Sequence, residues 1–272
     1  MNKLIMNLTL SSCFYVLNTK HDMNSYKEWI SNFFQMITDC NIVIYTDEKS
    51  LEYIPKTEKE NIKIILKNIE EFSTYHYKEK WIENHDKNHL LKDKVEWKVN
   101  MLWCEKIMFV NETIEKKYYN TEFYGWCDIG YFRNRPNDVH TNFLLSWPNK
   151  NKIENLKKDK IYYGCVNSNT ESIQFLKNII QNKNIYKLPS RPIPDNQVSV
   201  AGNFFVCHKK KITKLKHMFY DTLFLYFTHD YLIKDDQIIL ADIIFTNPHE
   251  FEICVENVPV YDTWFMFQRI LL

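Results

Sequence analysis

The sequence predicts an α/β fold with a mixed, mainly parallel sheet flanked by helices. Three observations predict it. Short apolar runs rich in β-branched and aromatic residues alternate with amphipathic helical stretches. Two of these runs and the helix between them make a β-α-β unit near the start, which requires adjacent parallel strands. Finally, 272 residues with 45% hydrophobic and 15% aromatic content are ample for a sizeable core.

Taken in order, residues 13–17 form the first apolar run, closing on the polar stretch Asn18, Thr19, Lys20 and His21. A helix follows, opened by a capping box of Ser25 and Glu28, with Tyr26, Ile30, Phe33 and Ile37 on one face. Residues 41–47 read as the second strand. Ligands of parallel sheets gather at the carboxyl ends of strands, here near Asn18, Thr19, Thr46 and Asp47. Residues 62–66 supply a third strand, and residues 73–94 read as a polar surface excursion. Its His76, His85 and His89 match no ligand spacing and are expected in exposed loops. A helical period starts at Lys94, with Val95, Val99 and Leu102 on one face and Lys98 on another, either solvated or turned towards a phosphate.

Residues 123–133 hold the chain's most distinctive feature. An aromatic run with strand character delivers a lone carboxylate, Asp128, and breaks at Gly130 before Tyr131, Phe132 and Arg133. An ionised carboxylate at the end of a buried strand needs a metal, a partner charge or dense hydrogen bonding, and a metal ligand is the working expectation. Arg133 either forks onto phosphate oxygens or pairs with an acid of the fold. Beyond it come a turn at 134–138, a lysine-rich loop at 149–160, a strand at 161–166, a short helix at 173–180 and a proline-rich connection at 188–194. A strand at 201–207 carries Gly202, which signals close approach of a neighbour or ligand. A core-facing helix spans 210–228. Asp235, Asp236 and Gln237 then read as an acidic cap on the helix that follows, and the tail with Asp262, Trp264 and Phe267 packs back on the domain.

Composition excludes several classes. Lys+Arg 35 against Asp+Glu 34 leaves a formal charge of +1, so no global field recruits nucleic acid. With Gly 4, no glycine-rich phosphate loop can be written. The Cys 7 show no C-x-x-C pair and read as reduced thiols. Residues 1–10 lack a signal-peptide pattern, and no apolar run approaches the roughly 20 residues of a membrane span, so no transmembrane segment and a cytoplasmic location are expected.

Seven stretches, in this order, resemble the HtrL/YibB-like glycosyltransferases of bacteria and giant viruses, relatives of the nucleotide-sugar enzymes of GT-A fold. They are Phe14 to Thr19, Tyr26 to Trp29, Ile42 to Asp47, Lys98, Trp126-Cys-Asp-Ile-Gly-Tyr-Phe-Arg133, Ala201-Gly-Asn-Phe205 and Asp235-Asp-Gln237. The W-x-D-I-G-x-F-R block is fairly specific, and the others gain force from their order. The resemblance implies a single GT-A-like domain over 1–272, with a nucleotide-sugar-binding half at 1–133 and an acceptor-side half at 134–272. The implied reaction moves a sugar from a nucleoside diphosphate-sugar to a hydroxyl of a glycan, protein or lipid acceptor, with Mn2+ or Mg2+ as cofactor. The location implied for a viral member is host cytoplasm or virion.

The same resemblance implies roles for particular residues. Asp128 is the last member of a D-x-D-like tripeptide, here Trp126-Cys127-Asp128, and binds the metal, with His249 completing its shell. Asn18, Thr19, Thr46, Asp47, Lys98, Arg133, Gly202 and Asn203 lie on the donor side. Asp236 is the candidate base, with Asp235 beside it and Gln237 towards the acceptor. A non-catalytic nucleotide-sugar or glycan-binding relative remains as the alternative, because the first aspartate of the tripeptide is missing. A metal-dependent phosphoesterase is disfavoured, since the convergent His/Asp ligands it needs are not found.

Overall fold

The computed structural model describes residues 6–272 apart from Ser168. Its strands are β1 (Leu8–Phe14), β2 (Asn41–Thr46), β3 (Ile62–Leu66), β4 (Phe123–Cys127), β5 (Ile161–Cys165), β6 (Val200–His208) and β7 (Phe251–Val255). They join in one sheet in the order β3-β2-β1-β4-β6-β5-β7. All pairs are parallel except the two made by β6, which runs against both β4 and β5. The one reversed strand has a consequence for the site. Its beginning lies at the same sheet edge as the carboxyl ends of β1 and β4.

Alternation along the strands feeds two cores, one on each face. Ile42 and Ile44 of β2, Phe123 and Cys127 of β4, and Phe204 and Val206 of β6 pack with Ile30 and Phe33 of helix α1 (Met23–Met36) and with Phe265, Met266 and Phe267 near the end of the chain. Val43, Tyr45, Tyr124, Trp126, Phe205 and Cys207 face the other way, onto helices α4 (Trp97–Glu115), α7 (Lys209–Thr228) and α8 (Asp236–Thr246). The remaining helices are α2 (Glu48–Leu51), α3 (Lys78–Lys87), α5 (Lys150–Glu154), α6 (Thr170–Gln181) and α9 (Phe267–Ile270). No described helix is long and apolar enough to cross a membrane.

Several expectations need correction. The first strand starts at Leu8 and ends at Phe14, rather than spanning 13–17. Thr9, Ser11 and Ser12 disguise it as a polar stretch, but Thr9 bonds Thr121 at 2.9 Å and Ser11 bonds Thr113 at 2.8 Å between hydroxyls, which makes the burial of Thr9 and Ser11 tolerable. Residues 1–5 of the N-terminal stretch lie outside the described residues. Helix α1 is capped by Asp22, whose Oδ1 accepts from Ser25 N at 2.9 Å, so the Ser25/Glu28 box does not form. Helix α4 begins at Trp97, after a turn that holds Lys94 and Val95. The loop at 149–160 contains the short helix α5, nucleated by Asn149 accepting from Asn151 N and Lys152 N. The tail supplies an edge strand, β7, beside β5.

The largest correction concerns residues 73–94. They hold helix α3, and Trp81 is fully buried, donating Nε1 to the Thr74 carbonyl at 3.2 Å and meeting Phe227 edge-on at 4.7 Å between ring centroids. His85 is on this helix and half-buried, whereas His76 and His89 are exposed. The span is polar in sequence because its aromatic anchors are widely spaced. Trp81→Ala should therefore destabilise the protein by about 3–5 kcal/mol in a denaturant titration, as for other fully buried indoles. A loss within the small range of surface substitutions would return the segment to the surface.

Candidate active site

The strands' open edge carries a cavity of about 350 Å3. The loop after β1 contributes Thr19, Lys20 and His21; the segment after β4 contributes Asp128, Arg133 and Arg135; the start of β6 contributes Gly202 and Asn203. Helix α8 adds Asp235, Asp236 and Gln237 from its first turn, and the C-terminal segment adds Asp262, Trp264 and Phe265. Of the residues expected at a site, Thr19, Asp128, Arg133, Gly202, Asn203, Asp235, Asp236 and Gln237 thus line one space. They come from distant parts of the chain.

At its floor sits Lys106, which the sequence reading missed. Its Nζ donates to the Gly202 carbonyl at 2.8 Å and lies 3.1 Å from Asp236 Oδ2 and 3.3 Å from Asp128 Oδ1. Three ammonium protons meet three acceptors, so this buried cation is matched. Burial disfavours its charge, but the two carboxylates outweigh that and raise its pKa. The signal for Lys106 was a stripe on α4: Val99, Trp103 and Lys106, at i, i+4 and i+7, all line the cavity.

Each carboxylate is aimed by its surroundings. Trp126 and Asp128 are two residues apart and share a face, and Trp126 Nε1 donates to Asp128 Oδ1 at 2.5 Å. Asp128 N donates to the Asn203 carbonyl at 2.9 Å, fixing the end of β4 against β6. Asp236 sits so close to Gly202 that a Cβ there would overlap its carboxylate, which is why this position is glycine. Burial pushes the Asp236 pKa up to about 6, opposed by Lys106 and assisted by Asp235 and Asp128.

Residues 73–94 and α4 hold the acidic pair in place. Asn84 exchanges two hydrogen bonds with the Ile233 backbone, each 2.8 Å; Asn100 Nδ2 donates to the same carbonyl at 2.8 Å, and Asn88 Nδ2 to the Lys234 carbonyl at 3.0 Å. That clamp delivers Asp235 and Asp236 to the cavity. Asp235 occupies the N-cap position of α8, but its side chain makes no capping bond, contrary to the cap expected. Its Oδ2 lies 3.1 Å from Lys234 Nζ, and its Oδ1 is buried without a partner. Asn203 donates Nδ2 to the Trp264 carbonyl at 2.8 Å and likewise leaves Oδ1 without a donor.

The basic side is built differently. Arg133 donates Nε to the Gly130 carbonyl at 2.9 Å, and its guanidinium carbon lies 4.2 Å from the Trp29 ring centroid and 5.3 Å from that of Phe265. Lys20 Nζ stands 5.0 Å from the Trp103 ring. Neither is in an ion pair among the described residues. Arg135, by contrast, is held by Asp138 at 3.1 Å and Asp262 at 2.7 Å. His21 has its pKa lowered, by burial and then by Arg133.

Five expected site residues lie outside this lining, for physical reasons. The Asn18 N–H donates to Glu96 Oε1 at 2.8 Å and its carbonyl accepts from Glu96 N at 3.1 Å, so it braces the loop after β1. Thr46 is buried, donating to the Phe14 carbonyl at 2.8 Å. Asp47 caps α2, accepting from Ser50 N at 2.7 Å. Lys98 lies 3.9 Å from Glu96 in the first turn of α4. His249 is an exposed side chain 3.2 Å from Glu250.

A divalent cation was expected at Asp128 and His249. The donor set does not fit one. Asp128 and Asp236 converge on an ammonium, His249 is not at the cavity, and no three His, Cys, Asp or Glu side chains among the described residues are grouped to ligate a metal. An ion between the two carboxylates would have to expel Lys106 or share its place with a like charge.

Lys106→Met should destabilise the protein by about 3 kcal/mol near neutral pH, the lower end for breaking a buried pair because Asp128 is partly solvated. The loss should shrink in acid. Without Lys106 the folded-state pKa of Asp236 rises above about 6, further from its ordinary 3.8, so stability returns as pH falls through that folded value. Urea titrations at about pH 8 and about pH 5 would check this, and an equal loss at both would contradict it.

No protein-family model matches the chain, and no curated protein matches it significantly. What the cavity binds is thus read from its own charges and acceptors.

Proposed function

We propose that this cavity transfers a sugar from a nucleoside diphosphate-sugar to an acceptor hydroxyl. The observation that carries the reading is the division of one cavity into two chemistries. The lining presents cations, with Arg133 and Lys20 free of ion pairs among the described residues. The lining also presents acceptors, with the Asp128 side chain 34% exposed and Gln237 half-buried. A ligand that satisfies both brings negative charge at one end and hydroxyl donors at the other. A sugar linked to a diphosphate has that form, and about 350 Å3 lies in the range of small-molecule sites. The resemblance of the W-x-D-I-G-x-F-R block to glycosyltransferases, and a mainly parallel sheet with the cavity at its carboxyl edge, support the same reading.

In this reaction the acceptor oxygen attacks the anomeric carbon. Its proton passes to the Asp236 carboxylate, and the bond from that carbon to the diphosphate oxygen breaks, the electron pair leaving with the diphosphate. Arg133 and Lys20 face the departing charge. Lys106 keeps Asp236 ionised and aimed, while Asp128 accepts a hydroxyl of the bound sugar. The acceptor's class, whether glycan, protein or lipid, lies with Gln237 and the open mouth beside it.

The test is release of nucleoside diphosphate from a panel of nucleotide-sugars, with and without acceptor sugars. Because the base must be ionised, the rate should rise with pH through about 6. Asp236→Asn should lower turnover by about 100-fold or more with donor affinity little changed, the usual scale for a lost general base. Donor binding with no turnover in the wild type would leave a binding protein instead.

A further inference from the structure

The four lining cations and four lining acids do not pair evenly. Arg135 is taken by Asp138 and Asp262, Asp235 is met by Lys234 from outside the lining, and Lys106 is shared between Asp128 and Asp236. Among the described residues, two positive charges remain without an ion-pair partner, on Arg133 and Lys20. The diphosphate bridge of a nucleotide-sugar carries two negative charges.

We infer that this protein binds the diphosphate without a divalent metal, using Lys20 and Arg133 as the clamp and Lys106 as the resident cation of the carboxylate pair. The inference rests on the transfer reading above. In the D-x-D arrangement that the sequence resembles, a carboxylate and the phosphates share a metal. Here the corresponding carboxylate, Asp128, already has Oδ1 engaged by Trp126 Nε1 at 2.5 Å and by Lys106 at 3.3 Å. The ammonium is nine-tenths buried and satisfied on all three sides, so it does not yield its place cheaply.

The clamp is preorganised in two ways. Arg133 is held by its Nε bond to the Gly130 carbonyl and by aromatic faces at 4.2 Å and 5.3 Å, which leave the guanidinium's terminal nitrogens without a carboxylate. Lys20 leans over Trp103, and among the described residues no carboxylate is within ion-pair distance of it. Partial burial weakens the charged form of Arg133, and an arriving diphosphate offsets that penalty. Asp128, held against Lys106, does not need to bind phosphate through a metal. Its second oxygen remains available to a sugar hydroxyl.

The test is calorimetric binding of uridine, guanosine, adenosine and cytidine diphosphates to the full chain, in EDTA and in Mn2+. At least one should bind in EDTA with an affinity within about threefold of that in Mn2+, a difference below 1 kcal/mol. Lys20→Met and Arg133→Met should each weaken that binding by about tenfold or more, the scale of a lost charge-assisted contact. Unligated melting temperatures confirm that both variants are folded. Binding seen only with Mn2+ overturns the inference and leaves the transfer reading standing. Unchanged affinity in both variants overturns the clamp. No binding of any diphosphate in either condition overturns the inference and the transfer reading together.

Discussion

The contact on which the site depends is the buried ammonium of Lys106. It joins α4 to the end of β4 through Asp128, to the start of β6 through the Gly202 carbonyl, and to the first turn of α8 through Asp236. An isolated buried charge costs several kcal/mol, and so does each isolated carboxylate. Only the complete set is tolerable. The surrounding features make the set possible: glycine at 202 lets the Asp236 carboxylate approach, Trp126 fixes the rotation of Asp128, and the asparagines of α3 and α4 clamp the backbone that carries Asp235 and Asp236. Removing Lys106 leaves the buried Asp236 carboxylate without its partner.

Sheet topology explains why these residues can meet. In a fully parallel sheet Gly202 and Asn203, which lie early in their strand, would sit at the opposite edge from Asp128, which directly follows its own. The reversal of β6 between β4 and β5 brings an early strand position to the carboxyl edge. The backbone bond from Asp128 N to the Asn203 carbonyl continues that antiparallel ladder one step past β4. This part of the site's geometry is therefore a continuation of the sheet.

Much of the fold was legible because burial on two faces leaves apolar runs that periodicity detects. The third strand matched residue for residue, and β2, β4, β5, β6 and α7 lay within a few residues of their expected bounds. The first strand was misplaced because paired hydroxyls can replace apolar side chains in a sheet, and α3 was missed because one buried indole anchors a helix that is otherwise polar. At the site, Asp128, Gly202 and Asp236 stood out individually as a charge after an apolar strand, a glycine in a strand and an acid before a helix. Lys106 did not, since a lysine within an amphipathic helix reads as solvated until its neighbours across space are known. Lys98, the lysine noticed instead, is the partly solvated one. The same blindness applies to the expected cation: chain order suggested a metal beside Asp128, and only the fold shows which positive charge stands there.

The most direct measurement is a crystal structure of the protein with a nucleoside diphosphate and Mn2+, with anomalous scattering recorded to locate manganese. The account predicts the diphosphate between Lys20 and Arg133, Lys106 still bridging Asp128 and Asp236, and no anomalous peak between those carboxylates. A manganese peak on Asp128 with Lys106 swung away would contradict it.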